Sequence, residues 1–312
     1  MRAVIQSAYW LLIILSCAGL SHLRQPITDM LSNFYLHFAV AGAVLFIVGL
    51  HWRLPRTAIV SVAISIICFA LSFSYDKIPA IQSERDDASS KTYRLMTFNA
   101  WERAKTMSRL KTFLRKEKPD FVMLQEITVK DWRSLKSLSD LYPYMSYCDD
   151  WLCGVALLSR HKWHSVKAEN FGPHQLPLIV ASFNDKFNGL RLYATHTARP
   201  HWKYSTQREQ LEYLAGFLST NSKRPTLLGG DMNATVYSSL LRDFTSSSSL
   251  KPAGPIVPTW PQRLRQTGFI KLPLLQLDID HIFVKPGMKI LRKWRGPDLG
   301  SDHRPLLVDF KL

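Results

Sequence analysis

An acid beside an imidazole, Asp302-His303, stands within Gly300-Ser301-Asp302-His303-Arg304-Pro305 and directly before the apolar run Leu306-Leu307-Val308. Successive side chains on a strand point to opposite faces, so this pair belongs to the loop that enters the strand. A carboxylate next to a histidine can hold a metal, orient a nucleophile or contact a phosphate. Similar residues stand at the ends of other apolar runs. Asn99 follows Tyr93–Phe98, Glu126 follows Phe121–Leu124 and Gln125, and His196 follows Leu190–Ala194 and Thr195. Asp231 and Asn233 follow Thr226-Leu227-Leu228 and two glycines, and being two apart in extended chain they point the same way. Asp278 and Asp280 precede Ile282-Phe283-Val284. Singly, each is more often a cap, a turn residue or a surface charge. Together, along one edge of a sandwich, the carboxylates form an oxygen-rich cluster suited to Mg²⁺ or Mn²⁺ rather than zinc. The asparagines can donate to phosphate oxygens, and a histidine can meet a negative transition state.

The elements that must position these residues alternate. Met107 to Lys118 places Leu110, Phe113 and Leu114 on one helical face and stops near Pro119. Trp132 to Leu141 and Ser205 to Leu218 read as further helices, and Gly154 to Leu158 as a strand. Asn188-Gly189 between Leu178–Phe183 and Leu190–Ala194 signals a hairpin. Residues 245 to 275 read as a long loop, Ser/Pro-rich and then basic and aromatic. It is a lip over the site, a membrane-proximal segment or a surface excursion; the sequence leaves these open.

The net charge of +16 is uneven: residues 1 to 75 hold +3 and the remainder +13. That balance points to acidic partners, either nucleic acid or an anionic membrane surface. Four cysteines exclude a disulfide scaffold, and without a second pair at ligand spacing a zinc site is disfavoured. Cys148 and Cys153 could bridge in an oxidising compartment.

Three apolar stretches, Val4 to Leu20, Phe34 to Leu50 and Thr57 to Phe73, lack Asp, Glu, Lys and Arg and approach the ~20 residues of a spanning helix. The reading is a membrane anchor of three transmembrane helices over 1–75, a flexible linker over 76–92 and a catalytic domain over 93–312. Arg2, Arg53 and Arg56 place the N-terminus and second loop in the cytoplasm, hence the domain on the far side. The spans carry no buried charge of the sort that marks an ion path, which disfavours a transporter.

Thr97-Phe98-Asn99, Gln125-Glu126, Gly154–Arg160, Thr195-His196, Gly230-Asp231-Met232-Asn233, Ile279-Asp280-His281-Ile282-Phe283 and Ser301-Asp302-His303-Arg304-Pro305, in this order, resemble the endonuclease/exonuclease/phosphatase superfamily, a deoxyribonuclease I-like fold. The resemblance covers about residues 92 to 312. It implies a four-layer α/β sandwich and hydrolysis of phosphoesters with Mg²⁺ (or Mn²⁺). Matched by motif, Glu126 is the principal metal ligand with Asn99 beside it, and Asp231 orients or deprotonates water. Asn233 and His196 contact the phosphate, as does His303, which Asp280 orients, while Asp302 completes the metal or leaving-group side. Asp278 leaves the partner of His303 open, since alternation puts it on the same face as Asp280. His281 stands where many members carry an aromatic residue.

The expected protein is a multi-pass, membrane-anchored phosphodiesterase or phosphatase of a bacterial inner membrane, facing outward and acting on a phospholipid or lipid-linked phosphate. A nonspecific nuclease is the close rival, because the +13 charge suits a phosphate backbone. A catalytically silent binding module is the rival of another class.

Overall fold

The computed structural model describes residues 1–21, 24–76, 91–101, 104–148, 154–172, 174–220, 224–262 and 276–312. Most of the expected linker, 77–90, lies outside them, as do Cys153 and residues 263–275. The chain divides into two compact units. One comprises Met1–Lys77 with Pro200–Trp202 and Ala234–Asp243; the other holds Ile78–Arg199, Lys203–Asn233 and Phe244–Leu312.

Among the described residues the larger unit is built on twelve strands: β1 Thr92–Asn99, β2 Phe121–Gln125, β3 Tyr144–Tyr147, β4 Ala156–Ser159, β5 Ser165–Phe171, β6 Leu176–Ser182, β7 Arg191–His196, β8 Thr226–Asp231, β9 Lys251–Pro252, β10 Asp280–Val284, β11 Lys289–Arg295 and β12 Leu306–Lys311. They form two mixed six-stranded sheets, in the orders β11-β12-β1-β2-β4-β3 and β5-β6-β7-β8-β10-β9. Strand alternation feeds two cores. Leu95, Phe121, Met123 and Leu157 of the first sheet meet Ile179, Ala194, Leu227 and Ile282 of the second. Met96, Phe98, Val122 and Leu124 face the other way, onto Leu110, Leu114 and Leu135. Those last three come from helices numbered after four N-terminal ones: α1 Arg2–Leu20, α2 Pro26–Ser32, α3 Tyr35–His51 and α4 Pro55–Asp76, then α5 Ala104–Glu117, α6 Val129–Leu135, α7 Pro200–Thr220 and α8 Ser239–Ser248. Helix α5 ends where Lys118 takes φ +48° ahead of Pro119, and the chain turns straight into β2. The result is two packed mixed sheets with helices against them, as the resemblance implies. The Asn188-Gly189 hairpin forms, with both residues at positive φ between the antiparallel β6 and β7.

Register brings the polar ends together. Parallel β7 and β8 pair His196 with Asp231, and antiparallel β10 pairs Asp280 with the same Asp231. Parallel β1 and β2 pair Asn99 with Gln125, one residue before Glu126. Close approach of β7 and β8 depends on Gly230, where a Cβ would lie 2.0 Å from the Thr195 carbonyl oxygen.

The smaller unit corrects the expectation of three spans. Among the described residues only α1 is long and apolar enough to cross a membrane, a property it shares with N-terminal signal sequences. Helices α2 and α3 reach that length only as a pair bent by 70°, and the apolar part of α4, Pro55–Leu71, falls short. The physical reason is length: the second apolar stretch folds as the 17 residues of α3, against ~20 for the hydrocarbon core, and the helix that Pro26 opens before it runs in another direction. The three helices nevertheless turn Trp10, Ile14, Val40, Ile47, Ile59 and Ile66 outward, each more than half exposed. Helices α3 and α4 touch along small residues, with Ser65 Oγ donating to the Ala39 carbonyl at 2.7 Å.

Within this unit α2 holds the segment 234–243. Buried Asp29 accepts from the Ser239 backbone N–H at 2.6 Å and from the Ser238 and Ser239 hydroxyls, capping the N-terminus of α8. Asn33 Oδ1 accepts from the Thr235 N–H at 3.1 Å and its hydroxyl at 2.6 Å. The α8 helix falls in what the sequence reads partly as loop.

Candidate active site

Asn99 sits at the centre of the converging strand ends. Its Nδ2 donates to Glu126 Oε1 and to Asp231 Oδ2, both at 3.0 Å, while its Oδ1 accepts from the Trp101 N–H. One amide therefore ties the two sheets' carboxylates together. Glu126 takes φ +53°, an uncommon conformation outside glycine, which turns it off the end of β2. His196 Nε2 lies 3.6 Å from Asp231 Oδ2 and 4.0 Å from Glu126 Oε1. His303 Nδ1 pairs with Asp280 Oδ2 at 2.8 Å, and its Nε2 is 3.7 Å from Asp231 Oδ2. The structure thus pairs Asp280, rather than Asp278, with His303. His281 leaves β10 on the other face and stacks on Phe283.

Asn233, at φ +48°, donates its backbone N–H to Asp231 Oδ1 and its side-chain amide to the Thr197 carbonyl. Asp302 accepts from the Trp260 indole N–H at 3.3 Å and lies near enough to His303 and Glu126 to interact with their charges. Ser301 Oγ bonds the Asn99 carbonyl at 2.8 Å and receives the His303 N–H, so the loop is tied to β1. Cys148 is disulfide-bonded; Cys153, its expected partner, lies outside the described residues.

The charges are mutually dependent. Burial raises the pKa of Asp231 despite His303 and His196, and raises that of Asp302. Burial also works against the charged form of Glu126, but His196, Asn99 and Arg199 outweigh it and lower its pKa. For His303 burial favours the neutral ring, yet Asp280, Asp231 and Asp302 prevail and push it up to about 10. At neutral pH His303 is an imidazolium aimed at a carboxylate cluster.

Sequence reasoning missed Arg199 and Thr259, and read Trp260 only as part of a loop that could lie over the site. Arg199 donates from Nη2 to Glu126 Oε1. Thr259 Oγ1 donates to Asp280 Oδ2 at 2.5 Å, and Trp260 reaches Asp302 as described. Thr259 and Trp260 belong to the long loop, whose described part therefore borders the site. The available signal for Arg199 was its place three residues after His196, ahead of a helix-opening proline.

The residues fit a divalent cation. Glu126, His196 and Asp231 can each offer one ligand atom within 4.8 Å of the others, as can Asp231, Asp280 and His303. Two buried atoms in these sets, His196 Nε2 and Asp280 Oδ1, have no hydrogen-bond partner among the described residues, and such atoms are costly without one. Carboxylate-rich sets favour a hard cation.

Two packed mixed sheets with carboxylates and imidazoles beyond adjacent strand ends define a class of α/β proteins whose members are metal-dependent phosphoester hydrolases, typically using Mg²⁺. The chain belongs to the Endonuclease/Exonuclease/phosphatase family, whose pattern matches residues 96–303. No curated protein matches it. Solved structures share the fold: an endonuclease/exonuclease/phosphatase from Bacteroides vulgatus is 20% identical, with TM-score 0.60 over 71% of this chain and 99% of that one. D. rerio TDP2 complexed with a single-strand DNA product is 15% identical, with TM-score 0.59 over 71% and 100%. An endonuclease/exonuclease/phosphatase from Beutenbergia cavernae is 20% identical, with TM-score 0.54 over 71% and 72%.

Proposed function

We propose that this protein is a divalent-metal-dependent phosphodiesterase or phosphatase, held at a membrane by its N-terminal helices and acting on a phospholipid or other lipid-linked phosphate. The observation that carries the reading is the convergence of Glu126, His196, Asp231, Asp280 and His303, contributed by both sheets, around the Asn99 amide. Outward-facing apolar side chains on α1, α3 and α4 support membrane attachment, since soluble surfaces rarely expose so many together. The disulfide-bonded Cys148 supports an extracytoplasmic face, where such bonds persist.

In this reading Glu126 is the principal ligand for Mg²⁺ (or Mn²⁺), with Asp302 on the leaving-group side. The bound cation would supply charge stabilisation at the phosphoryl oxygens. Asn99 keeps Glu126 and Asp231 at a fixed separation. Asp231, its pKa raised by burial, orients and deprotonates the attacking water. His303, held by Asp280, donates to the phosphate; His196 and Asn233 flank it. Positioning of these groups before reaction is the main source of rate.

A second reading, a nuclease, is favoured by the +16 net charge and by the likeness to a protein solved with single-strand DNA. The test is turnover by the full-length protein, in detergent or vesicles, on a phospholipid, single-stranded DNA and a soluble phosphomonoester, with Mg²⁺, Mn²⁺ and excess chelator. Chelator-sensitive lipid turnover that disappears in Glu126→Gln is expected. DNA cleavage with steep salt dependence would select the nuclease, and silence on all three substrates would leave a binding module. Turnover that survives in both Glu126→Gln and His303→Ala would sink the assignment of the site.

A further inference from the structure

Arg199 occupies the position where the proposed metal ligand is most in demand. Its guanidinium donates to Glu126 Oε1, the same oxygen that accepts from Asn99 Nδ2 at 3.0 Å. A carboxylate oxygen has two lone pairs, so both in-plane positions of Oε1 are taken. A cation binding there must displace one donor. Asn99 is the harder to move, because its amide also holds Asp231 and its oxygen is fixed by the Trp101 N–H. Arg199 is the easier: its side chain is 37% exposed, and Glu126 is its one hydrogen-bond or ion-pair partner among the described residues. The backbone beneath it stays put, since the Thr197 N–H bonds the Asp231 carbonyl, the Thr197 hydroxyl bonds the Met232 carbonyl, and the Ala198 N–H bonds Gln210. Only the side chain has freedom to swing.

We propose that Arg199 is a catalytic residue with two positions: it neutralises Glu126 while the metal site is empty, and the metal releases it to bind the substrate phosphate. This rests on the phosphoester hydrolase reading of the site. The chemistry favours both positions. A guanidinium matches a carboxylate and a phosphate through the same planar fork, so one side chain serves both partners without redesign. Without the cation, Glu126 is a partly buried carboxylate that shares the Asn99 amide with the carboxylate of Asp231, an arrangement that needs a compensating charge. With the cation in place that need vanishes, and the freed guanidinium finds its next anion in the phosphate. Metal loading and substrate binding then favour each other: the metal frees the phosphate clamp, and a phosphate that holds Arg199 clears Glu126 for the metal.

The test compares Mn²⁺ affinity, read by electron paramagnetic resonance of free Mn²⁺, with steady-state kinetics in the full-length protein. Arg199→Gln removes the competing donor, and Mn²⁺ binding is expected to tighten about tenfold while KM for the phosphoester rises and kcat falls. Arg199→Lys keeps the charge but not the fork, and is expected to lie between wild type and Arg199→Gln in KM. Arg304→Gln, whose guanidinium bonds the Gly296 carbonyl and Gln262 rather than Glu126, controls for lost positive charge. Mn²⁺ binding that is unchanged or weaker in Arg199→Gln, or equally tightened in Arg304→Gln, overturns the proposal. Wild-type protein that binds no Mn²⁺ sensitive to Glu126→Gln would instead overturn the functional reading beneath it, so the two failures are distinguishable.

Discussion

Replacing Asp280 by asparagine removes the charge that holds His303 while keeping the side chain's size. The pair is 2.8 Å apart and buried, and His303 titrates at about 10 instead of 6.5. At about 1.4 kcal/mol per pH unit that rise corresponds to roughly 5 kcal/mol in favour of the folded, protonated form. Asp231 and Asp302 sustain part of it, so Asp280→Asn is expected to cost about 3 kcal/mol near neutral pH, in line with breaking a buried pair from one side. The folded pKa lies above the unfolded one. The contribution is therefore complete below pH 6.5 and is lost as pH rises through about 10. Thermal unfolding of wild type and Asp280→Asn in excess chelator should show the widest gap near pH 6 and a narrowing gap toward pH 10. An NMR titration of the imidazole supplies the independent reading. A gap that stays constant from pH 6 to 10, or a wild-type His303 that titrates near 6.5, would refute the pairing as the source.

Other perturbations probe the frame. Gly230→Ala forces a Cβ to 2.0 Å from the Thr195 carbonyl oxygen and must separate β7 from β8; we expect a loss above ~3 kcal/mol, visible as a collapsed melting temperature or no soluble yield. Asp120 accepts from the Arg94 N–H at 2.8 Å and pairs with His161 at 2.7 Å; burial opposes its charge, but these partners outweigh it and lower its pKa. Its stabilisation is present above the ordinary carboxylate range and lost as pH falls through the lowered value, so Asp120→Asn should cost about 2 kcal/mol at pH 7 and nearly nothing around pH 2. Asp29→Ala strips three donors of their acceptor at the start of α8; a loss of about 2 kcal/mol is expected, with faster hydrogen exchange across 234–243 in the full-length protein as the local readout.

The strand ends were legible because a buried strand is short, apolar and followed abruptly by polar residues, as in Phe121–Leu124 before Gln125-Glu126. What could not be read was which ends are neighbours. That Asp280 stands across from Asp231, and His196 beside it, is a matter of register in a sheet whose pairing partners are up to 57 residues apart in the chain. The choice between Asp278 and Asp280 had the same root, since alternation puts both on one face. Arg199 and Thr259 were missed, and Trp260 was placed no more closely than in a loop, because no periodicity announces which way a loop side chain points. The three-span expectation failed for a different reason: it let apolar stretches shorter than the ~20 residues of a spanning helix stand for spans, and α3 and the apolar part of α4 fold at that shorter length.

The grip of α2 on residues 234–243 has a consequence for synthesis. Asp29 leaves the ribosome long before Ser238, its partner 209 positions later in the chain. At roughly 5–20 residues per second the carboxylate waits on the order of 10–40 s without its donors. During that interval the first helices must survive as an incomplete bundle, and closure over so long a loop belongs among the slow, late events of folding. A chain truncated before α8 would never complete its own beginning.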